Sequence, residues 1–257
     1  MCGIVGYIGK QDAVPLLLDG LKRLEYRGYD SAGVAVLRDG KIDVRRSVGK
    51  LVNLEKALSG MGLSGTVGIG HTRWATHGRP SEQNAHPHRS GPLVLVHNGI
   101  IENYLELKER LQKDGYKFES ETDTEVMAHL IARSLKAGLG LEEAVRAATG
   151  EVRGSYAIAV MSQDAPGTLV AARSGCPLII GRSPHGAFVA SDVTAILAHT
   201  RDVVFLEDGD IAALSENGLA VKDADGKPVT RTVTRIAWDT AAAEKGGYPH
   251  FMLKEIH

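Results

Sequence analysis

Cys2 stands one residue from the start of the chain, in Met1-Cys2-Gly3-Ile4-Val5-Gly6. Removal of Met1 would place a thiol and a free α-amine on the same residue. A thiol ionises near pKa ~8.5 and an α-amine near ~8, so nucleophile and base would arrive together. The alternative is a cysteine that merely begins a hydrophobic strand. The densest polar run is His71-Thr72-Arg73-Trp74-Ala75-Thr76-His77-Gly78, followed by Asn84, His86 and His88. It reads in three ways. Neutral imidazoles are good zinc ligands, although this spacing fits no compact zinc motif. The histidines could instead satisfy backbone groups of a structural loop. In the third reading Arg73 grips a carboxylate through two parallel hydrogen bonds while Trp74 covers the bound molecule.

Three further clusters carry polar groups at informative places. His97-Asn98-Gly99 follows an apolar run. An Asn-Gly step there is either a turn or an oxyanion site, with the Asn98 carboxamide and the Gly99 N–H converging on one oxygen. Ser120-Glu121-Thr122-Asp123-Thr124-Glu125 stands at a predicted helix start, where acidic residues suit the helix dipole. The cluster reads either as a cap rich in acceptors or as a carboxylate that receives a cationic ligand group. Thr122 and Glu125, at capping-box spacing, could serve the helix while Asp123 faces a site. Leu24-Glu25-Tyr26-Arg27-Gly28-Tyr29-Asp30-Ser31-Ala32-Gly33 reads as a turn locked by Arg27 or Asp30. Cys176 lies in Arg173-Ser174-Gly175-Cys176-Pro177 and reads as a small, partly buried residue.

Composition narrows the classes. With 30 basic and 31 acidic side chains, the charge balance argues against non-specific nucleic-acid binding. Two cysteines cannot build a disulfide framework or a tetrathiolate metal site. The glycine-rich stretches contain neither a phosphate loop nor a dinucleotide fingerprint, so no nucleotide use is expected. No cofactor and no metal are expected. No apolar run approaches the ~20 residues that cross a bilayer, and the N-terminus has no secretory pattern. A cytoplasmic chain without membrane contact is the expectation.

The elements that must position these residues follow from periodicity. Residues 3–8 read as a strand. Val14, Leu17, Leu18, Leu21 and Leu24 then recur at helical spacing behind a capping Asp12. A hairpin is predicted over 32–38 and 41–47, turning at Asp39-Gly40. Residues 53–58 are too short to read as a helix. Strands are expected at 66–71 and 93–97, and helices at 103–113, 123–136 and 142–149. From 155 onward, short apolar runs at 156–161, 168–172, 178–181, 187–190, 203–206, 210–215, 219–222 and 229–235 read as strands. Thirty glycines fit so many turns. Helices clustered early with strands throughout predict an α+β or layered α/β domain.

Taken in order, these motifs resemble the glutaminase domains of the glutamine–fructose-6-phosphate aminotransferase family, within the class II glutamine amidotransferases. The resemblance rests on Met1 to Tyr7, Leu24 to Gly33, His71 to Gly78, Asn84 to His88, His97 to Asn103 and Ser120 to Glu125. Gly154-Ser155-Tyr156-Ala157, Ala190-Ser191-Asp192 and the terminal 250–256 extend it over the whole chain. It implies an N-terminal-nucleophile hydrolase fold, a four-layer αββα sandwich with two central, mostly antiparallel sheets. It also implies Cys2 as nucleophile, with its freed α-amine as base. Asn98 and Gly99 would form the oxyanion hole. Arg73 would hold the α-carboxylate of L-glutamine and Asp123 its α-ammonium, with Thr76 and His77 in that pocket and Trp74 on a closing loop. The domain is expected over 1–240 and a junction over 241–257, leading to sugar-isomerase domains that bind fructose 6-phosphate and dimerise. A catalytically silent glutamine-binding module, or the glutaminase domain of another class II amidotransferase, are the alternatives.

Overall fold

The computed structural model describes residues 2–216 and 218–237, so the junction expected over 241–257 lies outside the described residues. The N-terminal half holds β1 (Gly3–Gly9), α1 (Ala13–Leu24), β2 (Ser31–Arg38), β3 (Lys41–Val48), α2 (Leu51–Leu58) and β4 (Val67–Arg73). Next come β5 (His88–Ser90), β6 (Leu93–Ile101), α3 (Tyr104–Lys113), α4 (Thr124–Lys136) and α5 (Leu141–Glu151). The remainder is strand-rich: β7 (Gly154–Ser162), β8 (Leu169–Ser174), β9 (Ile179–Ser183), β10 (Gly186–Ala190) and β11 (Asp202–Phe205). It ends with β12 (Ile211–Ser215), β13 (Gly218–Lys222) and β14 (Val233–Arg235).

Two sheets result, in the orders β14-β11-β9-β10-β1-β4-β2-β3 and β13-β12-β8-β7-β6-β5. Neighbouring strands in both run antiparallel. Side-chain alternation assigns each face. In β1, Ile4 and Ile8 enter the core between the sheets, whereas Val5 and Tyr7 face the layer that holds α1 and α2. In β6, Val94 and Val96 enter the same central core, whereas Leu93 and Leu95 pack toward α3, α4 and α5. Three apolar layers between four layers of structure make the αββα sandwich that the family resemblance implies.

Local signals hold at several ends. Asp12 caps α1, its Oδ1 accepting from the Val14 N–H at 3.2 Å. Other ends depend on distant residues. α2 begins at Leu51, earlier than the six-residue pattern suggests, and its first N–H donates to Glu25 Oε1 at 2.8 Å. The capping box predicted for α4 does not form. Glu125 instead folds back to accept the N–H groups of Glu119 and Ser120 at 2.8 and 2.7 Å, and Thr122 Oγ1 turns to His88 Nε2 at 3.1 Å. α5 continues through Gly150, where a stop was expected. The edge strand β5 carries no apolar pattern by which it could be foreseen.

Candidate active site

β4 and β6 lie in different sheets, and their ends deliver the polar motifs to one end of the sandwich. His71 shares the face of Ile69 on β4, and Asn98 shares the face of Val94 and Val96 on β6. Both therefore point into the space between the sheets. A small cleft opens there, lined among others by Cys2, Arg73, Trp74, Thr76, His77, Gly99 and Asp123. Asn98 is 9% exposed and joins it through Cys2, whose carbonyl accepts from Asn98 Nδ2 at 3.0 Å.

The Cys2 thiol is held against the loop after β4. Its Sγ accepts from the Trp74 N–H at 3.2 Å and lies 3.6 Å from the Trp74 carbonyl. Burial pushes the thiol pKa up, opposed by the Trp74 N–H and by the Arg73 guanidinium nearby. Sulfur in this setting is largely protonated at neutral pH, so its attack on a carbon needs a base.

Arg73 is buried and does two things with its fork. One amino group donates to the carbonyls of His77 and Gly78 at 2.5 and 2.9 Å, fixing the loop 74–78. The other, Nη1, makes no hydrogen bond among the described residues and sits 3.9 Å from Asp30 Oδ1. Asp30 reinforces the same loop by accepting the Ala75 N–H, while its Oδ1 accepts from the Ser31 hydroxyl at 2.9 Å. The turn at 25–30 is thus locked as its polar groups suggest, with Arg27 paired to Asp192 at 2.6 Å. Trp74 remains 48% exposed at the mouth, its ring edge-on to Tyr29. His77 packs edge-on against Tyr104.

Asp123 is buried at the start of α4. Its Oδ2 accepts the Ile101 N–H at 2.8 Å, and Oδ1 has no hydrogen-bond partner among the described residues. Gly99 adopts φ +134°, and a Cβ there would lie 2.0 Å from the Ser155 carbonyl oxygen. Only glycine allows β6 to continue against β7 there.

Behind these groups lies a stack of imidazoles. His71 and His86 are parallel with ring centres 4.1 Å apart, and His88 meets His86 edge-on at 4.6 Å. His97 Nδ1 pairs with Thr124 Oγ1 at 2.8 Å. Burial holds His71 and His88 down to about 3 and lowers His86 and His97 as well. Among the described residues no group of three or more His, Cys, Asp or Glu is arranged to hold a metal ion. His86, His97, Thr122 and Thr124 also line the cleft. None of these four is given a place in the glutamine pocket by the sequence, because their reach depends on how the two sheets meet.

The arrangement brings a thiol, a buried guanidinium, a buried carboxylate and a carboxamide to one cleft. A family model described as a glutamine amidotransferase domain matches residues 71–198. The glutamine–fructose-6-phosphate aminotransferase of Clostridium tetani is 53% identical over 259 residues, covering 100% of this chain and 42% of its own length. That of Methanosarcina acetivorans is 55% identical over 268 residues, covering 100% and 43%. This chain therefore spans about two fifths of the length of those curated relatives. Among solved structures, the glutamine phosphoribosylpyrophosphate amidotransferase from B. subtilis superposes with a TM-score of 0.77 at 28% identity, covering 87% of this chain and 49% of the other. Motifs, four-layer sandwich and matches agree: this chain belongs to the class II glutamine amidotransferases and has their N-terminal-nucleophile hydrolase fold.

Proposed function

We propose that this chain is the glutamine-hydrolysing domain of a glutamine–fructose-6-phosphate aminotransferase. The observation that carries the reading is the Asn98 carboxamide bonded to the Cys2 main chain, in a cleft that also holds Arg73 and Asp123. L-Glutamine is a zwitterion with a neutral side-chain amide, so its site needs a cation, an anion and a place for a developing oxyanion. Arg73 Nη1 takes the α-carboxylate. Asp123 Oδ1 takes the α-ammonium. Thr76 and His77 line the pocket, and Trp74 lies on the loop that covers it.

With Met1 removed, the Cys2 α-amine accepts the thiol proton as sulfur attacks the amide carbon. The Trp74 N–H steadies the charge on sulfur. Asn98 Nδ2 and the Gly99 N–H stabilise the tetrahedral oxyanion. The protonated amine returns its proton to the leaving nitrogen, and ammonia departs. Water then attacks the γ-glutamyl thioester, with the same amine as base, and glutamate and free thiol result.

The rest of the enzyme belongs to the same proposal. Residues 1–240 form the glutaminase domain and 241–257 the junction to sugar-isomerase domains. Those domains bind fructose 6-phosphate, dimerise and consume the ammonia to make glucosamine 6-phosphate. Relatives more than twice as long as this chain support that reading. The expected cytoplasmic location is consistent with the absence, among the described residues, of any helix long and apolar enough to cross a membrane.

Mass spectrometry after treatment with a diazoketone analogue of glutamine tests the chemistry. The expected product begins at Cys2 and carries the adduct there. A retained Met1, or an adduct on Cys176 with Cys2 unmodified, overturns the mechanism.

A further inference from the structure

His71 Nε2 lies 3.0 Å from the His97 carbonyl oxygen and 3.0 Å from Asn98 Oδ1. The first is an acceptor by nature. The second is one by elimination, because Asn98 must turn its NH2 toward the Cys2 carbonyl, which can only accept. An imidazole nitrogen between two acceptors has to carry the hydrogen. His71 is therefore the Nε2–H tautomer, and its Nδ1 is a bare lone pair with no hydrogen-bond partner among the described residues. That nitrogen is buried, and the ring that carries it is stacked on His86.

Backbone packing builds this arrangement. Gly33 is paired with His71 across β2 and β4, and a Cβ at Gly33 would lie 2.2 Å from the His86 carbonyl oxygen. Glycine at 33 lets the 86–88 segment close over the sheet and lay the His86 ring on His71.

We propose that His71 is the positioning residue of the oxyanion hole, its single N–H holding both the Asn98 carboxamide and the β6 carbonyl that precedes it. The proposal rests on the glutaminase reading above. The shared N–H prevents the carboxamide from rotating by half a turn, which would aim Oδ1 at the oxyanion. One Nδ2 hydrogen is anchored on Cys2, and the other has no partner among the described residues. Donation from His71 into Oδ1 also polarises the carboxamide and strengthens Nδ2 as a donor. The effect is confined to the transition state, because glutamine in its ground state is held by Arg73 and Asp123.

Three variants separate positioning from packing. His71→Phe keeps the ring and loses the N–H. His71→Asn offers a donor near the Nδ1 position, and His71→Gln offers one near Nε2. The expectation is that Phe and Asn lower kcat for glutamine hydrolysis by about 10- to 100-fold with KM within about twofold, and that Gln restores most of the rate. Binding of a γ-aldehyde analogue, whose adduct with Cys2 has an oxyanion-like oxygen, should weaken in step with kcat. Binding of glutamate should not. Melting temperature and the alkylation rate of Cys2 establish that each variant is folded with its thiol in place. A folded Phe variant with wild-type kcat overturns the proposal, as does an Asn variant equal to Gln. Variants that all lose stability and activity together also overturn it, since that is what packing alone does. Failure of the wild-type chain to hydrolyse glutamine at all overturns the glutaminase reading itself and the proposal with it.

Discussion

Lowering the pH from about 7.5 to about 5 should remove a large part of this domain's stability, and the histidines behind the cleft set the amount. His71 and His88 are held near 3 by burial, against ~6.5 in an unfolded chain. Because the folded values are depressed, the stability each contributes is fully present above ~6.5 and is lost as the pH falls toward 3. Over that interval the unfolded chain takes up nearly one proton per histidine that the folded chain refuses. This amounts to about 2 kcal/mol for each, hence about 4 for the two. His86, pushed well below its ordinary value by the same burial, adds to the loss. Set against the roughly 5–15 kcal/mol of an ordinary domain, acid unfolding is expected between about pH 4 and 5. Urea titrations followed by tryptophan fluorescence at four pH values across the interval give the slope of stability against pH. His88→Gln retains a partner for Thr122 and should flatten that slope by about 1.4 kcal/mol per pH unit near pH 5. A stability that changes by less than about 1 kcal/mol between pH 7.5 and 5 refutes the reasoning. So does a Gln variant with the wild-type slope, since either means that charged imidazoles are accommodated without unfolding.

Asn98→Ala removes the proposed oxyanion donor and should cut kcat for glutamine hydrolysis by about 100-fold or more with little change in KM, as steady-state kinetics will read; a KM effect alone would contradict its assignment. Arg73→Lys keeps the charge but loses the planar fork that holds the loop and, in the proposed function, the substrate. Its effect is expected mainly in KM, raised about 10- to 100-fold, and a kcat-only effect would argue against carboxylate binding. Gly99→Ala forces a Cβ against the Ser155 carbonyl and should cost about 3 kcal/mol or more in a urea titration; a wild-type denaturation midpoint would show that β6 shifts freely there.

Much of this protein is legible in its sequence because the signals are local. The apolar runs of β1 and β6, the Asp12 cap and the Asp39-Gly40 hairpin each depend on neighbours a few residues away. The site residues are legible for a different reason. Cys2, Arg73, Asn98 and Asp123 are few, and in the proposed function they carry the charges and donors that a zwitterionic amide requires. The motif order names the family before any contact is known.

Tertiary structure alone decides what distant residues share. α2 is closed by Glu25, which precedes it by a strand hairpin, so no local reading finds its start. Thr122 and Glu125 have the spacing of a cap, yet they serve His88 and the 119–120 backbone, because burial made those unpaired groups costlier than an open helix end. The histidines look like metal ligands as a string of letters and become neutral, stacked rings once two sheets enclose them. His71 and Asn98 lie on strands of different sheets, and only the packing of one sheet on the other brings the imidazole N–H to the carboxamide. The sequence determines which chemistry this chain carries. The sandwich determines which atoms are aimed, since hydrogen bonds act over about 3 Å and the chain must fold to bring their ends that close.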